Sequence, residues 1–249
     1  MQTVSSPRIF YPGRLAPGTT VTVVGGAASH LARVLRLDSG DTVVLFSGDG
    51  LEHTGAIQGV RRHEVDVLLH ASSSPDTESR LLITLIQALC RGPRMDTVIQ
   101  KAVELGVSRI LPVYTERTGV RLHGERVNQK TRHWRGVAVS ACEQSGRVIV
   151  PEVLAPQRLA SAVEAAPVDA TRLLLDPSAR SGLSTITSVS RHIAVLVGPE
   201  GGFTGPECDL AQAAGFQRVR LGPRILRTET APIAALSIIQ HLYGDLGSK

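Results

Sequence analysis

Two loops in the last quarter of the chain carry the residue types from which a binding site is built. "VLVGPEGGFTGPE" sets Gly198, Pro199, Glu200, Gly201 and Gly202 directly after an apolar run. "RVRLGPRILRTETA" repeats the form, with Arg224, Arg227, Thr228, Glu229 and Thr230 between a glycine–proline break and an apolar helical pattern. Glycines at the end of a strand let a ligand approach the backbone closely. The carboxyl ends of strands are where open α/β sheets bind ligands. Two such loops at one end of one sheet form adjacent walls of a pocket. No Gly-Lys-Ser/Thr follows the first loop and it is not GxGxxG, so neither a P-loop nor a dinucleotide site is supported. Capping of the following helix is an alternative role for Thr228 or Glu229, and pairing with Arg224 or Arg227 an alternative role for Glu229. Capping leaves the two arginines unexplained.

The charge is uneven. Residues 1–72 hold six arginines and six acids, and residues 151–249 hold nine charges of each sign. Residues 73–150 hold twelve basic residues against seven acids, so the net +5 sits in the middle third. Most of those cations are arginines, whose planar fork suits phosphates. A localised basic stripe points to a polyanionic partner, nucleic acid above all. The alternative is a solvated basic face. Cys90, Cys142 and Cys208 are far apart, and no Cys/His pair has zinc-ligand spacing, so neither metal nor disulfide framework is expected. No apolar run is long enough to cross a bilayer. "MQTVSSPRIFYPG" lacks a basic region followed by an apolar core, so a cytoplasmic protein with free thiols is the expectation.

The elements that must position these residues fall into two textures. Residues 20–25, 41–50, 53–60 and 63–70 read as short, valine-rich strands, with one helical piece at 28–37. We expect a small β-barrel-like domain over 1–72 and a polar linker at 73–80. Over 81–249 strands and helices alternate, which implies a mostly parallel sheet covered by helices. Residues 81–89 form an apolar strand, Pro93 opens a helix closed at Gly106, and 107–114 is the next strand. A long helix spans 126–146 with Trp134, Val137, Ala138 and Ala141 inward. Thr204 and Glu207 make a capping box, and a final helix spans 230–244.

"GPEGGFTGPE" followed by "LGPRILRTETA" resembles the C-terminal signature of the SPOUT methyltransferases, and within them the family that methylates N3 of a uridine in 16S ribosomal RNA. "RIFYPG", "HLARVLRLDSGD", "RMDTVIQKAVELGVSRILPV" and "HWRGVAVSACEQSGR" follow the same family's order, so the resemblance spans almost the whole chain. It implies an α/β fold: a SPOUT domain with a C-terminal trefoil knot, preceded by a PUA-like barrel that grips RNA. It implies S-adenosylmethionine between the two loops. The first loop would hold it through Leu196, Val197, Gly198, Glu200, Gly201 and Gly202. The second would contribute Leu221, Gly222, Ile225, Leu226, Arg227, Thr228, Thr230 and Ala231. It also implies a homodimer. The chain departs from the family at "CRGPRMD", where members often carry a lysine and an aspartate; Arg91 keeps a charge there, while Pro93 alters the local fit.

The implied chemistry sets demands. N3 of uracil carries an imide proton, so the site needs a base, or cationic donors for the uracil anion. Arg227 is the candidate cation and Glu229 the candidate base. Arg8, Arg33, Arg117, Arg121, Arg132, Arg135 and Arg147 are the candidate RNA contacts. His133 and Trp134 are candidates to stack on a base, with the core as the competing place for Trp134. Two other readings stay open: a ribosome-assembly factor without chemistry, and a SPOUT enzyme acting on another RNA.

Overall fold

The computed structural model describes residues 6–247. Residues 1–5, part of the stretch tested for a leader, lie outside that range. The chain divides into two compact units: Met1–Glu78 with Cys142–Val150, and Ser79–Ala141 with Pro151–Lys249.

The first unit is a five-stranded sheet of β1 (Arg8–Phe10), β2 (Thr20–Val24), β3 (Thr42–Phe46), β4 (Glu52–Val60) and β5 (Glu64–Ser73). The strand order is β1-β3-β4-β5-β2, antiparallel except for β1 against β3. Alternation on β5 buries Val65, Val67 and Leu69, as a half-buried strand requires. Register shifts after Thr54 and Ile57 bend β4. The sheet is therefore a curled half-barrel rather than a closed barrel. Its core joins Ile9, Val23, Val43, Leu45 and Ile57 to Leu31 and Ala28.

The helix expected at 28–37 is shorter and irregular. Helix α1 (Gly25–Ser29) passes into a π-helical turn over His30–Val34, and Arg36 takes a left-handed φ of 56°. Only Ala28 and Leu31 are buried there, while Val34 and Leu35 face solvent, so packing holds a single turn. Residues 142–150 belong to this unit through polar ties. Glu143 accepts the Phe10 N–H at 3.0 Å, and the Arg8 guanidinium donates to the Gly146 and Arg147 carbonyls at 3.1 and 3.2 Å.

The second unit is an all-parallel sheet in the order β12-β10-β11-β6-β7-β8, with β9 also pairing with β7. Its strands are β6 (Leu82–Ala88), β7 (Val107–Tyr114), β8 (Glu152–Val153), β9 (Gln157–Arg158), β10 (Thr171–Leu175), β11 (His192–Val197) and β12 (Gln217–Val219). The helices are α2 (Arg94–Glu104), α3 (Glu125–Ser145), α4 (Leu159–Glu164), α5 (Gly205–Ala213) and α6 (Thr230–Tyr243). β6 and β11 read as near-continuous apolar runs because parallel strands are buried on both faces.

The helix expected after Pro93 is α2, and it buries one apolar stripe of Met95, Val98, Ile99, Ala102 and Val103. Trp134 is buried with Ala138 and Ala141, which decides between its two candidate places in favour of the core. Glu207 accepts the Thr204 N–H at 2.9 Å and so starts α5. β12 ends at Val219, and β8, β9 and α4 have no counterpart in the sequence-based expectation.

Candidate active site

The loops after β10, β11 and β12 meet at the carboxyl end of this sheet, around a cavity of about 730 Å³. Val197, Gly198, Glu200, Gly201 and Gly202 line it from the first loop. Leu221, Gly222, Ile225, Leu226, Arg227, Thr228, Glu229 and Ala231 line it from the second. Two sequence candidates, Leu196 and Thr230, are not among the residues that line the cavity. Leu196 has no exposed surface and belongs to the core with Ile86 and Leu174. Thr230 opens α6 and is exposed. Sequence reasoning missed the wall supplied by Leu175, Asp176, Pro177 and Ser178, and also Arg94, Phe203, Cys208, Asp209 and Arg218. The signal was present in "LLLDPS", a third apolar strand ending in a turn.

Gly198 is held by close approach, since a Cβ there would stand 3.1 Å from the Phe203 ring. Gly222 is held by conformation, with φ at +77°. The Thr228 hydroxyl joins the two loops by donating to the Gly198 carbonyl at 2.7 Å. Thr228 therefore does not cap α6. Glu229 occupies the N-cap position with no side-chain cap bond, so the capping alternative fails for it as well.

The charges cross from one loop to the other. Arg94, at the start of α2, donates to Glu200 at 2.8 Å, and its Nε lies 3.6 Å from Glu229 Oε1. The pairing of Glu229 expected with Arg224 or Arg227 is thus made by Arg94. Glu229 Oε2 is buried and has no partner among the described residues. Burial would raise the Glu200 carboxyl, but the Glu200 and Arg91 N–H groups and the Arg94 guanidinium outweigh it and hold Glu200 below its ordinary value. Arg91 itself lies against Gly119. Across the cavity Arg218 Nε donates to Asp176 at 2.6 Å. Burial pushes the Cys90 thiol up to about 11, and the nearby Glu200 and Glu229 add to the rise against the Thr228 hydrogen bond. At neutral pH it is a protonated thiol and not a nucleophile. The guanidinium groups of Arg224 and Arg227 make no ion pair or hydrogen bond among the described residues.

The candidate RNA contacts divide. Arg33 and Arg121 are exposed. Arg117 donates to the Gly201 carbonyl at 2.8 Å and so braces the first loop. Arg132 pairs with Glu125 at 3.1 Å, and Arg135 Nε donates to the Val153 carbonyl at 3.0 Å, both with exposed side chains. Arg8 is partly buried between Glu52 and two carbonyls. Arg147 is a correction: it is only 4% exposed and its guanidinium is held by Glu78, so it has no open face for a phosphate. Among the described residues no cluster of His, Cys, Asp and Glu could hold a metal ion, and no helix is long and apolar enough to cross a membrane.

A parallel sheet with glycine loops around a cavity at its carboxyl end, on a chain that also carries a curled half-barrel, defines a class that known proteins share. The RNA methyltransferase domain family matches residues 77–240, and the RNA methyltransferase PUA domain family matches residues 25–69. The ribosomal RNA small subunit methyltransferase E of Buchnera aphidicola is 30% identical over 96% of this chain and 98% of its own. That of Bacillus subtilis is 30% identical over 91% and 93%. The Neisseria gonorrhoeae structure of the same name, bound to S-adenosylmethionine, is 40% identical with a TM-score of 0.91 over 97% of this chain and 99% of that one. A Legionella pneumophila protein solved with the same cofactor is 38% identical with a TM-score of 0.94 over 98% and 100%. The chain belongs to the RNA methyltransferase family that includes the ribosomal RNA small subunit methyltransferases E.

Proposed function

We propose that the protein transfers the methyl group of S-adenosylmethionine to N3 of a uridine in 16S ribosomal RNA, acting on the assembled small subunit. The observation that carries this reading is Glu229, whose buried Oε2 has no partner among the described residues and belongs to the same pocket wall as Arg227, whose guanidinium is likewise unpaired among them. The pocket fits the cofactor. Space is open where a Cβ would stand at Gly222, the pocket's walls mix apolar and charged groups, and its volume suits a nucleoside carrying an amino-acid tail. When bound, the cofactor supplies an electrophilic methyl group on a sulfonium.

The residues supply the rest. The two loops, joined through Thr228 and bridged by Arg94, restrict the ligand to one orientation, which favours in-line transfer. Arg227 offers donors to a uracil carbonyl oxygen as negative charge develops there. Glu229 Oε2 takes the imide proton. The target base must leave its stack, since N3 lies on the pairing edge. Arg33 and Arg121 are exposed and free to meet phosphates.

The same reading includes a homodimer. Ile238 and Leu242 are 37% and 48% exposed at four-residue spacing on α6, and Ile225 is 84% exposed. A second copy is the occupant this apolar stripe fits, and Ile238→Glu should shift the sedimenting species from dimer to monomer. A wild-type monomer at micromolar concentration would remove that part of the reading.

The function is tested by incubating labelled S-adenosylmethionine with small subunits from cells lacking the protein, followed by nucleoside analysis. N3-methyluridine is the expected product, with transfer by Arg33→Ala and Arg121→Ala falling less steeply with salt than transfer by the unaltered protein, since each lost phosphate contact reduces the salt slope. Tight RNA binding without transfer would favour the assembly-factor reading, and a different methylated nucleoside would move the target.

A further inference from the structure

Strand β6 lies inside its sheet between β11 and β7, yet it carries Gln87, which has no exposed surface. An amide buried in an apolar strand is unfavourable unless each of its groups is matched. The matching here is one-sided. Gln87 Nε2 donates to the Ala88 carbonyl at 3.0 Å, to Thr228 Oγ1 at 3.3 Å and to Cys90 Sγ at 3.6 Å, while Oε1 has no partner among the described residues. The amide is therefore placed for what it donates.

Its distant recipient is the hydroxyl that joins the two pocket loops. Thr228 Oγ1 accepts from Gln87 and donates its own proton to the Gly198 carbonyl at 2.7 Å. A threonine hydroxyl rotates, and Cys90 Sγ stands 3.8 Å away as a competing partner. An N–H directed at the oxygen lone pair leaves the hydroxyl proton directed away from Gln87, towards Gly198. Hydrogen bonds in such a chain strengthen one another in a low-dielectric interior.

We propose that Gln87 is a positioning residue of the pocket, which orients the Thr228 hydroxyl onto Gly198 and thereby sets the separation of the two glycine loops. The proposal rests on the cofactor reading above. It assigns the central strand of the sheet a part in cofactor affinity, although Gln87 does not line the cavity.

The test is a double-mutant cycle on S-adenosylmethionine affinity, measured by calorimetry. Gln87→Met and Thr228→Val should each weaken binding about tenfold, the usual worth of one interior hydrogen bond. The double variant should be no weaker than either single, because both remove the same link. Thr228→Ser keeps the hydroxyl and should stay within about twofold of the unaltered protein by the same reasoning. A merely structural role for Gln87 would not produce that coupling or that rescue. Additive losses in the double variant would overturn the proposal, and so would Thr228→Ser binding as weakly as Thr228→Val. Should Gln87→Met not fold, Gln87→Asn keeps the amide but falls a methylene short of Thr228. It should weaken binding to the same degree, and unchanged affinity overturns the proposal. No binding by the unaltered protein overturns the cofactor reading and this proposal together. Binding by the unaltered protein with additive variants overturns this one alone.

Discussion

Glu229→Gln should lower kcat for methyl transfer by about 100-fold or more, the usual worth of a positioned proton acceptor. The change is nearly isosteric, so the second loop keeps its course. What it removes is the capacity of Oε2 to accept a proton. That oxygen is buried with no partner among the described residues, while Oε1 faces Arg94 at 3.6 Å. A carboxylate oxygen left without a hydrogen bond inside a protein is unfavourable and persists where function requires it. The Arg94 guanidinium keeps its shorter bond to Glu200 in the variant, so the bridge between loops survives. Affinity for S-adenosylmethionine should therefore change little, and the loss should fall on kcat rather than on cofactor binding. Single-turnover transfer to small subunits, beside calorimetry with the cofactor, separates the two quantities. A variant with wild-type kcat would mean that cationic stabilisation alone suffices, and Arg227 would carry the chemistry without a base.

Much of this site is legible in the amino-acid sequence. The two glycine loops stand out because glycine after an apolar strand marks either a close approach, as at Gly198, or a left-handed turn, as at Gly222. The parallel sheet follows from unbroken apolar runs, since only strands buried on both faces lose the period of two. Partners distant in sequence are not legible. Arg94 meets Glu200 across 106 positions, and Gln87 meets Thr228 across 141. Nothing in local pattern selects Arg94 over Arg91, or over Arg224 and Arg227, as the cation between the loops. Gln87 is visible as a polar letter within "LLITLIQAL", but its meaning depends on which loop the sheet order brings beside it. Leu196 shows the opposite limit. An apolar residue beside a binding loop shares the strand's burial, and only the fold shows that it belongs to the core. The basic excess is real as charge, but a count cannot separate Arg121, which is exposed, from Arg147, which is enclosed.

That enclosed arginine carries the largest expected effect on stability. Glu78→Ala should destabilise the first unit by about 3 kcal/mol, because it leaves a buried guanidinium without its carboxylate. Glu78 accepts from Arg147 Nε at 3.0 Å and Nη2 at 2.7 Å, and from the Val148 and Ile149 N–H groups at 3.0 and 3.1 Å. The Arg147 side chain is 5% exposed and that of Glu78 22%, so solvent does little to replace either partner. One carboxylate thus fixes the turn after α3 to the end of the segment that follows β5, within a single unit. Glu78→Gln keeps an acceptor for the backbone groups and should lose about half as much, because a neutral amide pairs more weakly with a guanidinium. Arg147→Met removes the buried charge itself and should cost less than Glu78→Ala, because the carboxylate it leaves behind is 22% exposed and water can reach it. Urea unfolding read at constant m value gives the comparison. A loss below about 1 kcal/mol for Glu78→Ala would place the pair among surface ion pairs. Residues 142–150 would then be held to the half-barrel by the bonds of Arg8 and Glu143 instead.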